Sequence, residues 1–238
     1  VPPRSAGVYV LEVNPRASRT VPFIAKATGV PLAKIATRLC LGEKLANIPI
    51  HPKGKDLYFI KAPVFPWRKF AGTDVVLGPE MRSTGEVMGV GKTFGEAFVK
   101  SQLGAGTKLP RSGKVFLTVK NGDKPRAVEV ARQLVALGFE LVATRGTAAA
   151  IEAAGVPVKT VNKVTEGRPH IVDSIKNSEI SLVINTVEER RNAITDSRAI
   201  RTSALLARVT TFTTISGAEA AVEGMKHMDS LGVISVQE

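Results

Sequence analysis

From Lys114 onward, short β-branched runs alternate with amphipathic segments, and no other feature of this sequence constrains the fold as strongly. Residues 115–119 (VFLTV) read as a strand. Residues 123–137 set Val128, Ala131, Leu134 and Val135 on one helical face, and Gly138 stands where a left-handed residue closes a helix. The cycle then repeats, with strands at 140–144, 158–161, 180–185 and 210–214 and helices at 147–154, 169–177, 196–207 and 218–227. A chain of this kind is α/β and folds as a doubly wound parallel sheet with helices on both faces. Thr195 or Asp196 is expected to cap the helix that starts there.

Before Lys114 the texture changes. Residues 18–28 and 32–43 read as two helices parted by Gly29-Val30-Pro31, residues 57–65 as an extended apolar segment, and residues 93–103 as a further helix. Residues 78–91 are glycine-rich, and residues 104–113, with their glycines, a proline and basic side chains, have the composition of a linker. The boundary is placed near Leu109, giving domains of 1–109 and 110–238. The first is mostly helical and opens on one strand, residues 8–13, with no companion to pair its edges. It reads as the remnant of a larger domain.

The formal charge of +12 would draw phosphorylated ligands or polyanions by long-range attraction. Nucleic acid is not the expected partner, because the basic residues are scattered and aromatics make up only 5% of the chain, too few for base-stacking platforms. The longest apolar stretches, residues 180–184 and 204–207, fall far short of the roughly 20 residues of a membrane span, so no membrane partner is expected. The first residues carry no charged-then-apolar export pattern, which leads to the expectation of an intracellular protein. The single cysteine, Cys40, excludes an internal disulfide, and its neighbours Leu39 and Leu41 suggest burial. His51, His170 and His227 are dispersed, without metal-ligand spacing. Phe65 and Trp67 flank Pro66 and are expected to be packing anchors.

Residues 8–20 read VYVLEVNPRASRT. Glu12, Asn14 and Arg16 alternate with Val13 and Pro15, so in an extended segment all three polar side chains share a face. A carboxylate and an amide oxygen together suit a hard divalent cation, and a guanidinium beside them suits a phosphate oxygen. Spacing alone equally suits a solvated strand face with an Asn-Pro turn. The run Glu12-Val13-Asn14-Pro15-Arg16, with Ser18-Arg19-Thr20 and Val21-Pro22-Phe23, resembles the metal-binding end of the ATP-grasp domains of carbamoyl-phosphate synthetase large chains. Further matches follow in order: residues 26–34 (KATGVPLAK), 78–89 (GPEMRSTGEVMG), 167–170 (GRPH), 196–198 with 203–205, and 233–238 (VISVQE).

The resemblance implies an ATP-dependent ligase of arginine and pyrimidine biosynthesis, cytoplasmic, using ATP with magnesium or manganese. Glu12 and Asn14 would hold the metal, and Arg16 would act catalytically by stabilising charge on the transferred phosphoryl group. Its implied partners are the rest of the large subunit, a glutamine amidotransferase small subunit and a nucleotide effector, UMP or IMP; a homo-oligomer is left open. By this resemblance residues 110–238 form a methylglyoxal-synthase-like allosteric domain, and the chain alone is expected to be catalytically silent.

In a doubly wound sheet the ligand site lies beyond the C-terminal ends of the strands. Thr144-Arg145-Gly146-Thr147 falls there, offering hydroxyls, a glycine for close backbone approach and a helix N-terminus, which together make a phosphate cradle; an ordinary strand-to-helix turn has the same composition. Lys124, Lys163, Asn185 and Thr186 fall in or beside other strand-end loops. Lys124, Thr144, Thr147, Lys163 and Asn185 match, by resemblance, the family's effector positions for nucleoside monophosphates, with Thr186 a neighbour and Val187 in place of a threonine. The competing reading is a free-standing methylglyoxal-synthase-like lyase. That chemistry needs a carboxylate base, and Arg168 occupies the family's aspartate position, with Glu166 out of register.

Overall fold

A computed structural model describes residues 10, 13–52, 56–69, 74–76, 81–186 and 191–233. The chain divides into two compact units, Val1–Asp56 and Leu57–Glu238.

In the first unit, helix α1 (Thr20–Thr28) ends on Gly29, whose φ of 69° only glycine takes without strain, and α2 (Leu32–Cys40) follows after Pro31. Val30, Ile35 and Ile48 form a small core with Leu32 packed against it. Cys40 is exposed, contrary to expectation: it lies at the end of α2, past Ile35, the one buried residue of that helix. The expected strand at 8–13 falls almost wholly outside the described residues. The extended run does not continue to Arg16, because the Arg16 N–H donates to the Asn14 carbonyl at 2.8 Å and closes a tight turn around Pro15.

The second unit begins with a strand pair: the extended segment expected at 57–65 is its first strand, and the second lies in the glycine-rich stretch, where no strand was expected. β1 (Tyr58–Val64) and β2 (Gly85–Gly91) run antiparallel, with Tyr58 opposite Gly91. The glycines of 78–91 are therefore only partly loop residues. A Cβ on Gly89 would stand 2.0 Å from the Ala97 carbonyl oxygen, and one on Gly91 would stand 2.7 Å from the Ala97 nitrogen. They are bare so that helix α3 (Phe94–Gly104) can lie directly on β2. Phe65 and Trp67 stack with ring centroids 4.9 Å apart, as packing anchors should.

The rest follows the alternation read from the sequence. The strands are β3 (Lys114–Thr118), β4 (Glu140–Thr144), β5 (Lys159–Val161), β6 (Ile180–Asn185) and β7 (Thr210–Phe212). The helices between and after them are α4 (Lys124–Ala136), α5 (Arg145–Ala153), α6 (Ile171–Lys176), α7 (Arg191–Leu206) and α8 (Ile215–Met225). The strands form one parallel sheet in the order β5-β4-β3-β6-β7. α7 includes Arg191–Thr195, so Thr195 and Asp196 are not its caps; Asp196 instead accepts a hydrogen bond from the Thr165 hydroxyl at 3.0 Å.

Strand parity sorts the sheet into two faces. Val115, Leu117, Leu141, Ala143, Leu182 and Ile184 pack with residues of α4, α5 and α8, among them Leu134, Ile151 and Val222. Phe116 and Val183 pack instead with Ile171 and Ile175 of α6 and Ile200 and Ala204 of α7. On that second face the three central strands turn polar at their last residue: Thr118 follows Phe116 by two, Thr144 follows Val142, and Asn185 follows Val183.

Candidate functional site

Those polar strand ends stand in one row. Thr118 is in register with Asn185, and the hydroxyls of Thr144 and Thr118 lie 3.1 Å apart in a hydrogen bond. Above the row opens a cleft of about 150 Å³, lined on one side by Thr118, Lys120, Asn121 and Lys124, on another by Thr144, Gly146 and Thr147, and on a third by Lys163, Thr186, Asp196, Ser197 and Ile200. It lies beyond the carboxyl ends of parallel strands, where open α/β sheets take their ligands.

Two threonines fix the loop after β3 and still face the cleft. Thr147 accepts a hydrogen bond from the Val119 N–H at 3.1 Å, and Thr186 accepts from the Lys120 N–H at 3.0 Å. A hydroxyl that accepts keeps its own hydrogen, so both remain donors toward a ligand. Thr144 ends β4 and stands at the N-cap of α5, whose first-turn N–H groups have no partner within the helix. Gly146 lies in that first turn, and a side chain there would stand 3.7 Å from the Lys124 ammonium. Bare backbone, helix N-terminus and ammonium thus converge on one small volume, an arrangement suited to phosphate.

Lys163 reaches the cleft from the turn after β5. Its N–H donates to the Glu166 carboxylate at 2.9 Å, and Arg145 lies 3.9 Å from the other oxygen of that carboxylate. Glu166 is therefore engaged in shaping its own turn. Arg168 is largely exposed and 3.9 Å from Asp173. Neither lines the cleft, and Asp196, a carboxylate that does, already accepts from Thr165.

The structure thus brings together Lys124, Thr144, Thr147, Lys163 and Thr186, which came from different loops of the sequence. Asn185 lies in the floor behind them, fully buried. Its side-chain oxygen accepts from Arg201 Nη1 at 2.8 Å, and Arg201, only 2% exposed, also grips Asp74, with its Nε 2.6 Å from Oδ1 and its Nη2 on the other carboxylate oxygen. Burial opposes ionisation of Asp74, but the hydrogen bonds and charge of Arg201 outweigh it and hold the carboxyl below its usual range. The sequence reading missed Lys120, Asn121 and Ser197, and it missed Arg201, whose signal was present. A basic residue stands there inside the inward stripe of Ser197, Ile200 and Ala204. Of the other expected site, Glu12 lies outside the described residues, while Asn14 and Arg16 are both exposed in the first unit. Among the described residues no three His, Cys, Asp or Glu side chains cluster as a metal site, and no helix is long and apolar enough to cross a membrane.

Comparison with known proteins matches two stretches of the chain. Residues 126–213 match the MGS-like domain, and residues 1–48 match the carbamoyl-phosphate synthase L chain ATP binding domain. The carbamoyl phosphate synthase large chain of Ralstonia nicotianae is 64% identical over 231 residues, 97% of this chain and 21% of the relative. That of Neisseria meningitidis serogroup A is 55% identical over 97% of this chain and 22% of its own length. That of Acidobacterium capsulatum is 56% identical over 92% of this chain and 20% of its own length. The chain therefore spans about a fifth of the length of these relatives. A match that begins in an ATP-binding domain and runs on through an MGS-like one disfavours a free-standing lyase, and it places this chain in the carbamoyl phosphate synthase large chain family.

Proposed function

We propose that the cleft of the second unit is an effector site for a nucleoside monophosphate, UMP first and IMP as the alternative. The convergence of Lys124, Lys163, Thr144, Thr147 and Gly146 at the start of α5 carries this reading, because two ammonium groups, hydroxyl donors and free backbone N–H groups are what a phosphate monoester needs. Residues 110–238 would be the regulatory domain and residues 1–109 the end of the ATP-grasp domain, with α3 packed against α8.

The intact protein would be an ATP-dependent ligase that forms carbamoyl phosphate from bicarbonate and ammonia, the ammonia released from glutamine by an amidotransferase small subunit. Glu12 and Asn14 supply hard oxygen donors, which fit magnesium or manganese, and Arg16 supplies a fixed positive charge toward phosphate. The metal would neutralise ATP phosphate charge there. With one edge of an ATP site, this chain alone would turn over no ATP. A cytoplasmic setting agrees with this chemistry.

The deciding experiment is calorimetric titration of the chain with UMP and with uridine. UMP should bind and uridine should not; equal heats from both, or none from UMP, would overturn the effector reading.

A further inference from the structure

Arg201 is a charge sealed inside the protein, and the way its charge is satisfied has a consequence at the cleft. A guanidinium has only N–H groups to offer. Nε and Nη2 are spent on the two oxygens of Asp74, which leaves Nη1 for Asn185. Asn185 must meet that donor with its oxygen, so its NH2 group faces away from Arg201. That nitrogen is buried and has no hydrogen-bond partner among the described residues. A native interior leaves few such donors without an acceptor.

Position on the sheet tells which part of a ligand would reach it. Asn185 closes β6, beside Thr118 of β3, while the phosphate cradle starts from the end of β4 on the far side of β3. Two strand spacings separate β6 from β4, about 10 Å. A phosphate held at α5 would be out of reach of Asn185, and the nucleoside portion would cover the interval.

We propose that Arg201, held by Asp74, is a positioning residue of the cleft: it locks the Asn185 carboxamide as a donor, so that the site selects ligands carrying an acceptor oxygen on the part remote from the phosphate. The proposal deepens the nucleotide reading and rests on it. Asp74 lies outside the MGS-like match and Arg201 inside it, so the selectivity of the cleft depends on a segment that the domain match does not include.

The test uses the full chain with two probes, UMP and inorganic phosphate, and three variants, Asp74→Asn, Arg201→Lys and Asn185→Asp. Asn185→Asp keeps an oxygen toward Arg201 but has no N–H to give. It should weaken UMP the most, and Asp74→Asn and Arg201→Lys should each weaken it about 10-fold, the loss of one well-placed hydrogen bond. Phosphate affinity should move by less than about 2-fold in all three, because none of these side chains is part of the cradle. Should Arg201→Lys fail to fold, the other two decide. UMP and phosphate falling in parallel, or UMP unchanged in Asp74→Asn and Asn185→Asp, would overturn the positioning role while leaving the nucleotide reading intact. A wild-type chain that binds neither probe would overturn the nucleotide reading, and the positioning role with it.

Discussion

The two faces of the five-stranded sheet are built from the same strands and end differently. On the face under α4, α5 and α8 the apolar run of β3 continues past the strand end, Leu117 being followed two residues later by buried Val119. On the face under α6 and α7 the run stops one layer short, and Thr118, Thr144 and Asn185 occupy the layer that would otherwise be filled by apolar side chains. That layer does not pack on hydrocarbon. It is held by the Thr144–Thr118 hydrogen bond and by the Asn185–Arg201–Asp74 chain, and the cleft opens above it. Both faces carry buried core, and the ligand chemistry is concentrated where one of them gives up its last layer.

The largest effects should come from cutting the core on each side. Phe116→Ala, at a fully buried site below the polar row, should cost about 3–5 kcal/mol, and Leu134→Ala, on the opposite face, about 2–5 kcal/mol, both read from urea denaturation. They should part company in binding. Below the unfolding transition, Leu134→Ala should keep wild-type affinity for UMP, whereas Phe116→Ala should weaken it, because Thr118 is two residues along the same strand face. Equal UMP affinity in both variants would break the comparison. Lys163→Ala should show the reverse pattern. It removes one charge-assisted contact to phosphate, about 1.5–3 kcal/mol or roughly 10- to 150-fold in UMP affinity, while the melting temperature stays nearly unchanged. Unaltered affinity would remove Lys163 from the site.

Much of this division was legible beforehand, for identifiable reasons. Alternation at periods of 2 and 3.6 located all five strands of the sheet and their helices, because residues such as Val115, Leu117 and Leu134 have no other way to be buried together. The cleft residues Lys124, Thr144, Thr147, Lys163 and Thr186 were reachable because the carboxyl ends of parallel strands are a fixed place in such folds. What failed was whatever depended on a tertiary neighbour. The glycines of β2 look like loop residues until α3 is laid on them. Asp196 looks like a helix cap until Thr165 comes across to it. Arg201 looks like a surface residue of a helix until Asp74, 127 positions away in sequence, supplies its counter-charge.

A smaller effect should come from converting one strand end to the character of the other face. Thr118→Val removes the oxygen that meets the buried Thr144 hydroxyl, which should cost about 1 kcal/mol, since lost hydrogen bonding is partly offset by the added methyl group. Denaturant midpoints for Thr118→Val and for a double variant with Thr144→Val would sharpen the comparison. If the hydroxyl pair is a unit, the double variant should be no less stable than the single one.

The most specific effect concerns the ion pair beneath the row. Asp74 is held below its ordinary value of 3.8: burial opposes its charge, while the bonds and charge of Arg201, the Val76 N–H and the charge of Arg198 more than offset that penalty. A carboxyl depressed in the folded state contributes stability that is fully present above its unfolded value and is lost as pH falls through the folded one. Arg198 and Arg201 are the charged groups facing it from α7. Asp173, Glu96, Glu219 and Glu223 are depressed as well, each by its own partners, so acid should lower the stability of any version of the chain. Those groups are common to wild type and Asp74→Asn, and the difference between the two isolates Asp74. The gap in melting temperature should therefore be constant from pH 7 to about pH 5, narrow as pH drops below 3.8, and close once Asp74 is protonated in the folded protein. A gap that widened in acid would mean that Asp74 is raised rather than depressed, and that the charge of Arg201 is balanced elsewhere.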